Sequence, residues 1–261
     1  MSTIPKHIIE VEKQKKIYFA SDFHLGSPNF EESRKREKKI VDWLDFISAD
    51  VQELFLLGDI FDFWYEFGKV IPKGYVRLFG KLAQLSDNGV KIHYFKGNHD
   101  MWLRDYFQEE LGVLVWHDSL ELTINKKKFH ISHGDGIGPG DWQYRFLKSC
   151  FQSKTLQRIF SLFHPDLSLA IAYKWSRHSR KGNSKKDEKF YGMNERQIVF
   201  SKELLEKEHF DYFIYGHRHL CLDIALTEDS RYLNSGDWIK YNSYIQFDGE
   251  ELTLNYFQPK S

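Results

Sequence analysis

Apolar and polar positions along this chain repeat one plan: a short β-branched or aromatic run that ends in a polar or glycine-containing tip. Ile17-Tyr18-Phe19-Ala20 precedes "SDFHLG", Leu54-Phe55-Leu56-Leu57 precedes "GDIFDFW", and Ile92-His93-Tyr94-Phe95 precedes "KGNHD". Phe129-His130-Ile131 precedes "SHGDG", and Tyr212-Phe213-Ile214-Tyr215 precedes "GHRH". Apolar runs without strict alternation suit strands covered on both faces. Helical patterns lie between the early runs. Residues 31–48 set Ile40, Trp43, Leu44 and Ile47 on one stripe, and residues 75–85 do the same with Val76, Phe79, Leu82 and Leu85. Alternating β and α predicts a layered α/β fold with the polar tips gathered at the carboxyl ends of the strands.

Later the pattern turns to hairpins. "LELTINKKKFHISHG" predicts a turn at Asn125-Lys126, and "YIQFDGEELTLNYF" carries Asp248-Gly249, a strong hairpin signal. Two packed mixed sheets are therefore expected rather than one parallel sheet. Asp22, Asp59, Asn98 and His133 follow one another at roughly the spacing of a βα repeat, whereas the gap from His133 to His217 is about twice as long. The excess is helix-patterned. We read 142–190 as a helical lid inserted into a core formed by 1–141 and 191–261.

Composition narrows the setting. The chain has 261 residues, 41% hydrophobic and 28% charged, which describes a soluble globular protein with a full core. No run approaches the ~20 apolar residues needed to span a bilayer. Residues 1–16 lack the apolar stretch of an export signal, so a cytoplasmic location is expected. Cys150 and Cys221 are too few for a disulfide framework or a cysteine metal site. Lys plus Arg and Asp plus Glu each number 37, and no basic stripe accompanies the tips, so no nucleic-acid partner is expected. No obligatory protein partner is inferred either.

Chemistry concentrates at the tips: Asp22 and His24, Asp59, Asn98 and His99, His133, His217 and His219. Members two apart, as in Asp22-Phe23-His24 and His217-Arg218-His219, point the same way in extended backbone and can address one point. A lone DxH or GHxH is a weak signal; five such tips in order are a strong one. Carboxylates, an amide and imidazoles form a mixed O/N donor set that suits Mn²⁺, Fe²⁺ or Zn²⁺ better than Ca²⁺. The set is too large for one tetrahedral site and sufficient for two metals sharing a carboxylate.

Taken together, "DFH", "GDIFD", "GNHD", "SHGD" and "GHRH" resemble, in order, the five motifs of calcineurin-like metallophosphoesterases. That resemblance implies a four-layer α/β/β/α sandwich and two divalent ions, Mn²⁺ foremost with Fe²⁺ or Zn²⁺ also compatible. It implies that Asp22, His24 and His219 hold one ion, Asn98, His133 and His217 the other, and Asp59 bridges them. Gly58, Gly97 and Gly216 would allow tight turns. A hydroxide held between the metals would attack phosphorus in line. His99 follows Asn98 and should face away from it, toward substrate, as a catalytic group. In family terms Asp100 orients it, and a neighbouring carboxylate should raise its pKa.

The lid resembles that of a narrower subgroup, the UDP-2,3-diacylglucosamine diphosphatases of lipid A synthesis. The matching features are "HGD" followed by Asp141 and Tyr144, then "LQRIF", "LAIA" and "HSRKGNSKK", and later "NSGDW". The resemblance implies that Asp141 and Tyr144 lie near the nucleotide or sugar, with Arg177, Ser179, Asn183 and Lys186 reaching substrate from the lid. It implies hydrolysis of UDP-2,3-diacylglucosamine to 2,3-diacylglucosamine 1-phosphate and UMP by attack at the α-phosphorus. A nucleotide-linked glycolipid then becomes the partner, met at the cytoplasmic face of the inner membrane. The apolar stretch 155–175 and the basic run after it fit such docking. One departure stands out: His99 occupies a position where that subgroup's best-known members have arginine. Histidine there agrees with the wider family and keeps another nucleotide diphosphate, a phosphodiester or a phosphomonoester as the alternative substrate.

Overall fold

The computed structural model describes residues 6–140, 142–187 and 189–259, without the side chains of Lys6, Gln143, Tyr144, Leu147 and residues 177–187. The chain opens with β1 (Lys6–Ile9), β2 (Lys16–Ala20), α1 (Phe30–Ile47) and β3 (Val51–Leu56). It continues through α2 (Val76–Asp87), β4 (Lys91–Phe95), α3 (Tyr106–Leu111), β5 (Leu114–Trp116), β6 (Leu120–Ile124) and β7 (Lys127–Ser132). Three successive helices follow, α4 (Trp142–Gln152), α5 (Lys154–Ser161) and α6 (Pro165–Asp187). A single 3-10 turn leads into α7 (Arg196–Leu205), and the chain ends with β8 (Tyr212–Tyr215), β9 (Cys221–Ala225), β10 (Arg231–Ser235), β11 (Ser243–Phe247) and β12 (Leu252–Tyr256).

Two six-stranded mixed sheets result, ordered β1-β6-β7-β8-β10-β9 and β12-β11-β2-β3-β4-β5. In the second, β2, β3, β4 and β5 run parallel, so the tips after β2, β3 and β4 emerge at one edge. In the first, β7 and β8 are also parallel, which brings "SHGD" and "GHRH" side by side. Side chains alternate as a pleated strand requires. On β2, Ile17 and Phe19 enter the core between the sheets with Phe55, Leu57, Phe129, Ile214 and Leu233. Tyr18 and Ala20 face the outer layer formed by α1 and α2, where Trp43, Leu44, Leu78 and Leu82 pack. On the far side, Ile198 of α7 covers Phe213, Tyr215 and Tyr232. The fold is the four-layer α/β sandwich that the motifs imply.

Local chemistry explains the elements. α1 starts where Asn29 in extended backbone accepts from the Glu32 amide at 3.0 Å, with Glu31 and Glu32 in the positive first turn. α2 buries Leu78, Phe79, Leu82 and Leu85; Val76, expected on that stripe, instead opens the helix and points outward. The expected hairpin turn forms between β6 and β7, with Asn125 and Lys126 both left-handed at φ 46° and 69°. β11 and β12 pair antiparallel around Asp248-Gly249.

Candidate metal centre and active site

The polar tips converge on one buried cluster. Asp22, Asp59, His24 and His133 are each at most 2% exposed. His24 Nε2 lies 3.2 Å from His219 Nε2, and Asp22 Oδ1 lies 3.6 Å from the first and 3.3 Å from the second. On the other side, His133 Nε2 lies 3.2 Å from Asn98 Oδ1 and 3.4 Å from Asp59 Oδ2. Asp59, His133 and His217 offer ligand atoms within 4.8 Å of one another. Asp59 Oδ2 is also 3.9 Å from His24 Nε2, so this carboxylate stands between the two groups.

The route to this convergence differs from the expected one. Asp22, His24, Asp59, His217 and His219 are not extended but left-handed, with φ of 57°, 43°, 54°, 71° and 51°. β2, β3 and β8 therefore each end in a tight coil, a sparsely populated conformation for residues other than glycine, and the coils after β2 and β8 aim both members of a pair inward. Hydrogen bonds hold the coils: His24 N donates to Asp59 O at 2.9 Å, and buried Arg36 donates to His24 O at 2.8 Å. Of the three motif glycines, only Gly58 needs a positive φ, 89°. Gly97 serves close approach instead, since a Cβ there would strike the Asp59 carboxylate.

The donor set fits cations. His133 Nδ1 is 2.7 Å from Leu57 O, a carbonyl that can only accept, so Nδ1 carries a proton. In the neutral ring the lone pair of Nε2 would face two oxygens, a repulsion that a proton or a metal ion between them relieves. Asp22 Oδ1 is buried without a hydrogen-bond partner. One oxygen of Asp59 accepts from His99 N at 2.8 Å, which leaves the other for the centre of the cluster. Charge responds as it should in a site that demands cations. Burial opposes a charge on His133 and His24, but Asp59, Asp22 and Asp62 outweigh it and raise them to about 10 and about 9. Burial likewise disfavours the Asp22 carboxylate, yet His219, His24 and His133 lower it to about 2.

His99 sits at the edge of this cluster, its ring 4.9 Å from that of His24. With His24 and Asp59 it also offers a ligand atom within 4.8 Å. Two expectations about it are corrected. Asp100 does not orient its ring: that carboxylate is buried and accepts from Ile60 N, Gly97 N and Tyr94 Oη at 2.7, 2.8 and 2.6 Å, tying the "GD" and "GNHD" loops together. The ring is held from elsewhere, with Nδ1 2.9 Å from Asp62 O and 3.1 Å from Ser176 Oγ. Its pKa is lowered, not raised, because burial and His24 outweigh Asp59. Asp100 itself is raised to about 6 by burial and by Asp59.

Three residues in this neighbourhood escaped sequence reasoning. Asp62, in "GDIFD", lies with Oδ1 3.8 Å from His24 Nδ1. Asp237, in "NSGDW", has Oδ2 3.1 Å from His219 Nδ1, which orients that imidazole. Both stood inside quoted motifs, so their signal was present. Ser176 in the third lid helix had none. Of the expected substrate contacts, Asp141 and the side chains of Tyr144, Arg177, Ser179, Asn183 and Lys186 lie outside the described residues.

Helices α4 to α6 are tied to the core by aromatic side chains. Tyr65 Oη and Trp102 Nε1 donate to Gln157 O and Phe151 O, each at 2.6 Å, and Phe160 packs on both rings. They also turn large apolar side chains to solvent: Leu162, Phe163, Leu167, Ile171 and Trp175 are all more than half exposed. Among the described residues, no helix is long and apolar enough to cross a membrane.

Residues 15–221 match the family model described as calcineurin-like phosphoesterase, and the chain belongs to that family of metal-dependent hydrolases. Particular relatives sharpen the class. The chain is 37% identical over 258 residues to a UDP-2,3-diacylglucosamine hydrolase of Porphyromonas gingivalis, covering 92% of this chain and 96% of the relative. A protein of the same name from Haemophilus influenzae is 28% identical over 233 residues, covering 88% and 94%. Another, from Photorhabdus laumondii, is 27% identical over 213 residues, covering 80% and 86%.

Proposed function

We propose that this chain hydrolyses the diphosphate of UDP-2,3-diacylglucosamine, releasing 2,3-diacylglucosamine 1-phosphate and UMP in lipid A biosynthesis. The observation that carries the reading is a juxtaposition: a buried, cation-demanding Asp/His/Asn cluster beside helices that turn large apolar side chains to solvent. The first suits a phosphoric anhydride, the second an acylated substrate. The full-length similarity to relatives bearing that name supports both.

In this reading Asp22, His24 and His219 hold one divalent ion, Asn98, His133 and His217 a second, and Asp59 both; Mn²⁺ leads, with Fe²⁺ or Zn²⁺ compatible. When bound, the ions supply Lewis acidity that activates water and neutralises charge on phosphoryl oxygens. The remaining roles belong to the chain. His99, whose Nδ1–H is already engaged, faces the substrate with Nε2, which donates to a phosphate oxygen once the substrate's negative charge draws a second proton onto the ring. Asp100 keeps the two loops carrying Asp59 and Asn98 in register. Tyr65, Trp102 and Phe160 seat the lid helices against the core beside the strand tips. Water adds to the α-phosphorus, the bond from that phosphorus to the bridging oxygen breaks, and the sugar 1-phosphate departs. Residues 142–190 act as the lid, with Asp141, Tyr144, Arg177, Ser179, Asn183 and Lys186 as its substrate contacts. Exposed Leu162, Phe163, Leu167, Ile171 and Trp175 rest the protein on the cytoplasmic face of the inner membrane.

Hydrolysis in ¹⁸O-water with Mn²⁺ tests the reading. It is expected to release UMP carrying the label, at a kcat/KM at least ~100-fold above that for a simple aryl phosphodiester, as remote binding energy requires. Efficient cleavage of the aryl diester with the UDP-lipid left intact would overturn the substrate. Label in the sugar phosphate would overturn attack at the α-phosphorus.

A further inference from the structure

Ser176 belongs to α6, yet it is 4% exposed and reaches the strand-tip loops. Its Oγ donates to Asp62 O at 3.0 Å and lies 3.1 Å from His99 Nδ1, which is itself 2.9 Å from Asp62 O. These atoms close a triangle. Asp62 O can only accept, so the proton between it and the imidazole belongs to Nδ1. The serine hydroxyl, having donated to the same carbonyl, keeps lone pairs toward that N–H. Both hydrogen bonds of the ring thus use one nitrogen, and Nε2 remains for substrate. The approach is possible because the inward stripe of α6 is small: Ala172 and Ser168, one and two turns before Ser176, are buried as well.

We propose that Ser176 is a positioning residue: from the lid, it holds the His99 ring with Nδ1 turned inward and Nε2 toward the reacting phosphate. The group that meets the substrate is then in place only while α6 is seated. This rests on the role given to His99 above, but not on the identity of the substrate. It differs from arginine at the same position, whose guanidinium presents donors along a whole fork and needs no partner to choose between two ring nitrogens.

The test uses the Mn²⁺-loaded full-length protein and an aryl phosphodiester, so that failure of the lipid assignment leaves it readable. Losing one neutral hydrogen bond should lower kcat by about three- to tenfold in Ser176→Ala, with KM within about twofold. Ser176→Cys keeps the volume with a much weaker hydrogen bond and should behave like the alanine variant. In a His99→Arg background, Ser176→Ala should change kcat by less than about 1.5-fold, because the residue has nothing left to position. A readout independent of turnover is the His99 ring N–H resonance in the zinc-loaded protein. It should be protected from solvent exchange in the wild type and broadened in Ser176→Ala. Equal losses in both backgrounds, wild-type behaviour of Ser176→Cys, or an unchanged ring resonance would each overturn the proposal.

Discussion

Helix α1 packs on the sheet of β2 to β5 and α6 reaches the loops that follow those strands, and the two partition their side chains in opposite ways. α1 buries Ile40, Trp43, Leu44 and Ile47 with Arg36 and Glu37, and turns Glu31, Glu32, Lys35, Lys38, Asp42 and Asp45 to water. α6 buries Ser168, Ala172 and Ser176 and turns Leu167, Ile171 and Trp175 outward, at 52%, 56% and 58% exposure. The first pattern is that of a helix whose apolar stripe holds a core together. The second contributes little to a core. Small residues inside allow the helix to come close to the loops that carry His99, and large residues outside are left for something other than water. The strand-tip cluster shows a related inversion, since carboxylates and imidazoles occupy the driest part of the fold. A buried cluster of charge and an exposed stripe of hydrocarbon are each costly unless a ligand meets them.

Three experiments can break this contrast, beginning with the largest effect. Asp59→Ala should lower turnover by at least ~10³-fold and reduce bound metal below two ions per chain by elemental analysis, since one carboxylate serves both groups. Retained activity with full metal content would remove Asp59 from its bridging place. The second experiment compares the helices directly. Trp43→Ala should destabilise the fold by roughly 3–5 kcal/mol in denaturant titration. The triple change Leu167→Ser, Ile171→Ser and Trp175→Ser should cost less than about 1 kcal/mol while weakening sedimentation with anionic vesicles by about tenfold or more. If the triple variant unfolds like Trp43→Ala, α6 is an ordinary core helix and the contrast fails.

The smallest effect concerns pH. His130 is buried, and burial, reinforced by Lys128, lowers it to about 4 from an ordinary 6.5. The folded protein therefore resists a proton that the unfolded chain accepts. The associated stability is fully present above 6.5 and is lost as pH falls from there toward 4. About 2 kcal/mol should disappear between pH 7.5 and pH 5, and His130→Gln should remove that part of the slope. An equal slope in the variant would place the acid sensitivity elsewhere, for example at His217, which burial and His133 also lower to about 4.

Much of the architecture was legible because it rests on local rules. The strands before the five tips announced themselves by apolar runs, α1 by its stripe, and the β6–β7 turn by Asn125-Lys126, whereas β1, β5, β9 and β10 carried no such signal. The cluster was legible for a different reason: its residue types recur at the same place after successive strands, and parallel pairing brings those places together. What could not be read were contacts between segments distant in sequence. Nothing near "GNHD" indicates that Asp100 spends its carboxylate on Ile60, Tyr94 and Gly97, or that Ser176 of α6 comes within 3.1 Å of the His99 ring. Nor did the spacing of Asp22 and His24 reveal that both are left-handed.

The amino-acid sequence alone determined the order of elements, the family-defining tips and the chemical character of the site, since these depend on period, residue type and position after a strand. The tertiary structure decided which carboxylate touches which imidazole, which way α6 faces, and the direction of the His99 pKa. Those follow from burial and from distances of about 3 Å, over which a hydrogen bond or a charge acts strongly. Such proximities are created only when the two sheets pack together and α6 meets the loops that carry His99.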